Sequence, residues 1–222
     1  MKYTSSSDEE NNILNEKDYE VGVGPWEGGE ENWPKDEKYD EKFLRNGDRR
    51  NVLDRYRYWK MEAIIKDLDE NYRTRLHVAI ENLEHDFNIG SIVRTANAFG
   101  VQAVHIVGRK RWNRRGAMVT DRYQHIFHHA SSEEFIKWCA DNQMPLYGID
   151  ILKTSKPIEK TKLPEKCMLL FGQEGSGISS QLLDACEKVL HITQRGSTRS
   201  MNVGHAAAIA MYAWSVQNLN DF

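Results

Sequence analysis

From residue 76 onward the chain alternates short apolar runs with stretches in which apolar residues recur at helical spacing. The runs Leu76–Ile80, Ala103–Val107, Leu146–Ile149, Cys167–Phe171 and Val189–Ile192 predict strands. Ile89–Phe99, Ser132–Asn142, Ser179–Glu187 and Val203–Leu219 predict helices. This order predicts an α/β fold, a mainly parallel sheet with helices on both faces, over residues 76–222. Upstream, DRYRYWKMEAIIKDLDEN sets Tyr58, Met61, Ile65 and Leu68 on one side, so residues 51–75 are expected to hold an N-terminal helix packed on the body. Residues 1–50 carry Ser, Asp, Glu, Asn and Gly with few aliphatics. They predict an acidic arm, extended or partly disordered, with Val21–Trp26 and Trp33-Pro34 apolar enough to dock.

Charge sharpens this division. The net charge of the 222 residues is −3, but residues 1–48 hold 14 acidic and 6 basic side chains, and the remainder 19 acidic and 24 basic. A basic body is compatible with RNA, whose phosphates Lys and Arg neutralise. No apolar stretch approaches the roughly 20 residues of a membrane helix, and the N-terminus lacks a signal-peptide core, so a soluble cytoplasmic protein is expected. Cys139, Cys167 and Cys186 have no metal-type spacing and read as buried free thiols.

Three segments end strand-like runs with polar clusters: Asn88–Gly100 (NIGSIVRTANAFG), Phe171–Ser179 (FGQEGSGIS) and Ser200–Ala206 (SMNVGHA). In an open α/β sheet these points, where strands end and loops begin, are where ligands bind. Each also has a plain structural reading. Asn88 could cap its helix, Ser200 and Asn202 could cap the last one, Arg94 could be a solvated charge, and Glu174 could close a glycine-rich turn. Gly172, Gly175 and Gly177 let backbone approach a ligand closely.

In that order and with those partners, the segments resemble the signature motifs of the SpoU/TrmH family of RNA ribose 2′-O-methyltransferases, in the SPOUT class. The resemblance spans roughly Leu76 to Val216. It implies a C-terminal trefoil knot, S-adenosylmethionine as methyl donor, no metal, and a homodimer with its sites at the interface. It places Asn88, Arg94, Glu174 and Asn202 in the catalytic cluster, and Ile149, Gly172, Ile192, Ser200 and Met201 around the cofactor. Met201 stands where the family usually has Leu, and Gly204 where a small polar residue is common. The resemblance puts Arg94 against the ribose and phosphate of the target nucleotide. A free guanidinium has a pKa above about 12, so positioning the phosphate and stabilising the developing alkoxide suits it better than taking the proton. The resemblance also implies a dimer face on the small-residue helix Val203–Met211 with Tyr212 and Trp214, although a buried core helix explains that stretch equally well.

The densest basic patch, Gly108–Arg122, gathers Arg109, Lys110, Arg111, Arg114 and Arg115 around Trp112, which suits phosphate contacts and stacking of an unpaired base. Arg195 and Arg199 extend the RNA-binding expectation beside the third motif. The run HIFHH lacks a Cys or carboxylate at ligand spacing, so no metal site is expected. GQEGSG lacks the GxGxxG order of a dinucleotide fold. The rival function is a non-catalytic RNA-binding SPOUT-like module, whose mark would be loss of Arg94, Glu174 or Asn202; all are present. Both tRNA and rRNA stay open as substrates, with a lean toward rRNA.

Overall fold

The computed structural model describes residues 22–83, 88–173 and 175–220. The chain divides into two compact units, one up to Ile64 and one from Ile65.

Within the first unit, residues 22–50, expected as an extended or partly disordered arm, hold helical turns and bridge pairings; residues 1–21 lie outside the described residues. The chain crosses itself twice, pairing Val23 with Asp48 and Tyr39 with Trp59. Helix α1 (Glu41–Asn46) starts where the Asp40 side chain accepts from Lys42 N, and ends at Gly47, whose φ is 83°. Trp26, Tyr39, Tyr58 and Trp59 meet edge to face at ring-centroid distances of 5.3 to 6.4 Å. Aromatic contacts of this kind supply the burial that aliphatic side chains do not. The helix expected from residue 54 begins only at Met61 (α2, Met61–Asn71), because Tyr58 adopts φ 65° and Asp54–Tyr56 closes a separate 3₁₀ turn.

The second unit is a seven-stranded sheet of β1 (Leu76–Asn82), β2 (Ala103–Gly108), β3 (Ile126–His129), β4 (Leu146–Ile149), β5 (Lys156–Pro157), β6 (Cys167–Phe171) and β7 (Lys188–His191). Their order is β3-β2-β1-β6-β4-β7-β5, and every paired neighbour runs parallel. Helices α3 (Ile89–Ala98) and α6 (Val203–Asn218) share one buried cluster with Val78, Ile80, Leu169 and Phe171. Helices α4 (Ser132–Asp141) and α5 (Ser180–Asp184) share the other with Ala79, Met168 and Leu170. The alternation along β1 and β6 is the two-residue period of a strand covered on both faces.

Two strands went unread in the sequence. Strand β3 lies at the sheet edge with Phe127 exposed, so its pattern is only half apolar, and β5 has two residues. No helix among the described residues is long and apolar enough to cross a membrane. Cys139 and Cys167 are buried free thiols and Cys186 is half-buried and free.

Candidate functional site

Because the strands are parallel, their C-terminal ends share one edge. The register aligns Ile149 of β4 with Phe171 of β6 and with Leu190 of β7, so Ile149, Gly172 and Ile192 emerge on neighbouring strands. Ile149 and Ile192 are half-buried and pack on the cluster beneath α3 and α6.

Asn88 and Asn202 begin α3 and α6 and meet there. Asn202 Nδ2 donates to Asn88 Oδ1 at 2.9 Å, while Asn202 Oδ1 accepts from Gly204 N at 2.9 Å and His205 N at 3.3 Å. Asn202 thus both caps α6 and ties it to the start of α3, whereas the side chain of Asn88 makes no cap bond to its own helix. Ser91 Oγ donates to the Asn88 carbonyl at 2.7 Å. A Cβ on Gly204 would lie 2.9 Å from Ser91 Oγ and 3.1 Å from Asn202 Oδ1, which explains glycine at this crossing. Arg94 is exposed on α3 and makes no side-chain hydrogen bond or ion pair among the described residues. Glu174 lies outside the described residues.

The loop after β6 is folded tightly on itself. Gln173 and Gly177 exchange backbone hydrogen bonds of 3.1 Å, Gly177 adopts φ 67°, and a Cβ on Gly172 would sit 2.1 Å from the Gly177 carbonyl carbon. Two carboxylates brace its return. Asp150 Oδ2 accepts from Ile178 N and the buried Glu81 Oε2 accepts from Ser179 N, each at 2.9 Å. Neither was picked out from the sequence, although a Glu inside the apolar run LHVAIEN was a visible signal. Among the described residues, Glu81 Oε1 and Ser179 Oγ are buried without a hydrogen-bond partner.

The basic loop follows β2. Buried Asn82 holds its backbone, donating from Nδ2 to the carbonyls of Arg109 at 2.6 Å and Arg111 at 3.1 Å. Gly90 of α3 lies so close that a Cβ there would meet Ala117 N at 2.8 Å. Arg109, Lys110, Arg111, Arg114 and Arg115 are exposed. Trp112 is half-buried against the core with the Arg114 guanidinium 5.6 Å from its ring centroid, so it is not the open stacking platform expected. The exposed apolar groups of this loop are Met118 and Val119, both with positive φ. Arg195, Arg199 and Ser200 are exposed on the segment between β7 and α6, and Met201 there is half-buried.

The histidines of HIFHH serve the fold. His77 Nδ1 lies 3.0 Å from His105 Nε2, and His105 Nδ1 lies 2.9 Å from His129 Nε2, a chain of imidazoles running across β1, β2 and β3. Burial pushes His77 down to about 4 and His105 to about 2, so both are neutral near pH 7. His128 Nε2 reaches the Gly108 carbonyl and His125 pairs with Asp69.

With this geometry in place, the model of the SpoU rRNA Methylase family matches residues 75–212. The chain belongs to that family. An uncharacterised tRNA/rRNA methyltransferase of Synechocystis is 25% identical over 165 residues, 71% of this chain and 42% of the relative. A tRNA (guanosine(18)-2′-O)-methyltransferase of Thermus thermophilus is 24% identical over 171 residues, 72% of this chain and 86% of the relative. The chain therefore spans less than half of the Synechocystis protein and most of the Thermus one. The SpoU methyltransferase AviRb of Streptomyces viridochromogenes, solved with AdoMet, superposes with a TM-score of 0.60 at 22% identity, covering 66% of this chain and 62% of that one. Its likeness establishes the SpoU fold.

Proposed function

We propose that this chain transfers a methyl group from S-adenosylmethionine to a ribose 2′-hydroxyl of RNA, working in the cytoplasm. The observation that carries the reading is the Asn202–Asn88 hydrogen bond, set where α3 and α6 begin, at the strand-end edge that also bears the glycine loop. Residues 76–222 are the methyltransferase body.

The residues suit the donor. Half-buried Ile149 and Ile192 offer apolar surface at adjoining strand ends, and Gly172 lies in a loop too tight for any side chain there. Ser200 and Met201, from the third motif, complete the set. When bound, S-adenosylmethionine supplies a methyl group on a sulfonium, electrophilic without a metal. Arg94, unengaged by other side chains among the described residues, positions the target phosphate and stabilises the alkoxide as the 2′-hydroxyl loses its proton to phosphate, water or a neighbour. Asn88 and Asn202 hold each other in place, so the ribose meets groups that need no reorganisation. Glu174 is assigned to the same cluster on its motif.

The exposed residues Arg109, Lys110, Arg111, Arg114, Arg115, Arg195 and Arg199 would carry the RNA backbone. The substrate is tRNA or rRNA. A homodimer is also proposed: Ile209, Tyr212 and Val216 of α6 are exposed at helical spacing on one side, whereas Trp214, expected on that face, is buried. The trefoil knot is proposed as well, on the resemblance to SPOUT domains.

The test is incubation of purified protein with radiolabelled S-adenosylmethionine and separate pools of unmodified tRNA and rRNA. Label in RNA is expected. Absent cofactor binding would favour the non-catalytic RNA-binding module, and cofactor binding without label in either pool would point to a missing substrate or partner.

A further inference from the structure

Within the acidic N-terminal unit, the stretch from Lys42 to Lys60 carries seven basic side chains and two acidic ones. Both acids are occupied. Asp48 is fully buried and accepts from Arg50 Nε at 2.9 Å, Arg50 Nη2 at 2.7 Å and the backbone N–H groups of Arg50 and Tyr58. Asp54 Oδ1 lies 3.5 Å from Arg57 Nε. Arg45 is paired with Glu30. Lys42 and Arg49 are exposed and have no side-chain partner among the described residues. With Phe43, Asn46, Gly47 and Arg50 they line a hollow of about 410 Å³.

The walls of this hollow are fixed before any ligand arrives. Asp48 and the Trp59 carbonyl clamp the Arg50 guanidinium, which lies 3.9 Å from the Phe43 ring centroid. Gly47 is pinned against Val23, where a Cβ would lie 2.5 Å from the Val23 carbonyl oxygen. Helix α1 ends here, and free C-terminal carbonyls would repel an anion. Those of Lys42, Phe43 and Leu44 are instead taken by Asn46 Nδ2, Gly47 N and Trp26 N. What faces solvent is one ammonium and one guanidinium without counter-charge, beside an amide.

We propose that this hollow, through Lys42, Asn46 and Arg49, binds a phosphodiester of the RNA backbone. The proposal rests on the RNA methyltransferase reading. It gives the N-terminal unit a role in holding substrate that its overall acidity conceals. A preformed concavity of fixed cations suits phosphate, which both Lys and Arg recognise and which carries no sequence information of its own.

Binding of fluorescein-labelled, unmodified tRNA and rRNA transcripts to the full-length protein between 50 and 200 mM salt tests this. The Lys42→Ala/Arg49→Ala variant is compared with Lys137→Ala/Lys188→Ala, which removes the same charge elsewhere. The hollow variant should bind about tenfold more weakly, with the slope of log affinity against log salt reduced by about 1 to 2, and with unchanged Tm and S-adenosylmethionine affinity. The control pair should leave affinity and slope near wild type. Equal loss in both variants, or none in the hollow variant while wild type binds, overturns the site and leaves the methyltransferase reading standing. A wild-type protein that binds neither RNA overturns both.

Discussion

Asn202 reaches back across 114 residues of sequence to donate a 2.9 Å hydrogen bond to Asn88, while its Oδ1 caps the helix it begins. One side chain therefore links the start of α6 to the start of α3, and its two functions can be separated. Asn202→Asp keeps an acceptor for Gly204 N and His205 N at a helix N-terminus, where a carboxylate is favoured. It loses the donor to Asn88. Its Tm should stay within a few degrees of wild type while kcat falls at least about tenfold, because an oxygen now opposes Asn88 Oδ1. Asn202→Ala should lose activity and also about 1 kcal/mol of stability in denaturant unfolding.

Gly172 and Gly175 differ sharply for residues three apart. A Cβ on Gly172 would meet the Gly177 carbonyl carbon and oxygen and Ile178 N between 2.1 and 2.3 Å, all backbone, whereas a Cβ on Gly175 meets nothing within 4 Å. Gly172→Ala should weaken S-adenosylmethionine binding by tenfold or more in calorimetry, about 1.4 kcal/mol. Gly175→Ala should bind as wild type does. Equal affinities for the two variants would remove the loop from the cofactor site.

The imidazole chain sets an acid limit on stability. His77 and His105 are held at about 4 and about 2, below the ordinary 6.5, chiefly by burial. For groups kept neutral in the fold, stability is full above about pH 6.5 and is lost as pH falls, since the unfolded chain takes up protons that the folded one refuses. At pH 5 this costs about 2 kcal/mol for His105. Urea unfolding at pH 7 and pH 5 should show that loss, and His77→Gln should lessen the difference.

The exposed side of α6 predicts an assembly state. Sedimentation at micromolar concentration should give a dimer, and Tyr212→Glu should give a monomer, since a buried unpaired carboxylate is costly at an interface. A monomeric wild type would remove the dimer from the account.

How far these features could be read in advance followed the range of the interactions. Strands β1, β2, β4 and β6 and their helices announce themselves through local periodicity, and Asn88 and Asn202 through motif context. The N-terminal unit does not, because it is held by distant pairings such as Val23 with Asp48 and by edge-to-face aromatics that leave no repeat. Asp150 and Glu81 were missed for a similar reason. Their partners, Ile178 N and Ser179 N, lie 28 and 98 residues away, and backbone donors have no signature in sequence.

The most direct measurement is the identity of the methylated nucleoside. RNA labelled by the wild-type protein and by Arg94→Ala should be digested to nucleosides and resolved by mass spectrometry. Ribose-methylated nucleosides from the wild type, reduced at least a hundredfold in the variant, are the predicted result. Base-methylated nucleosides, or ribose methylation that survives loss of Arg94, would contradict the mechanism.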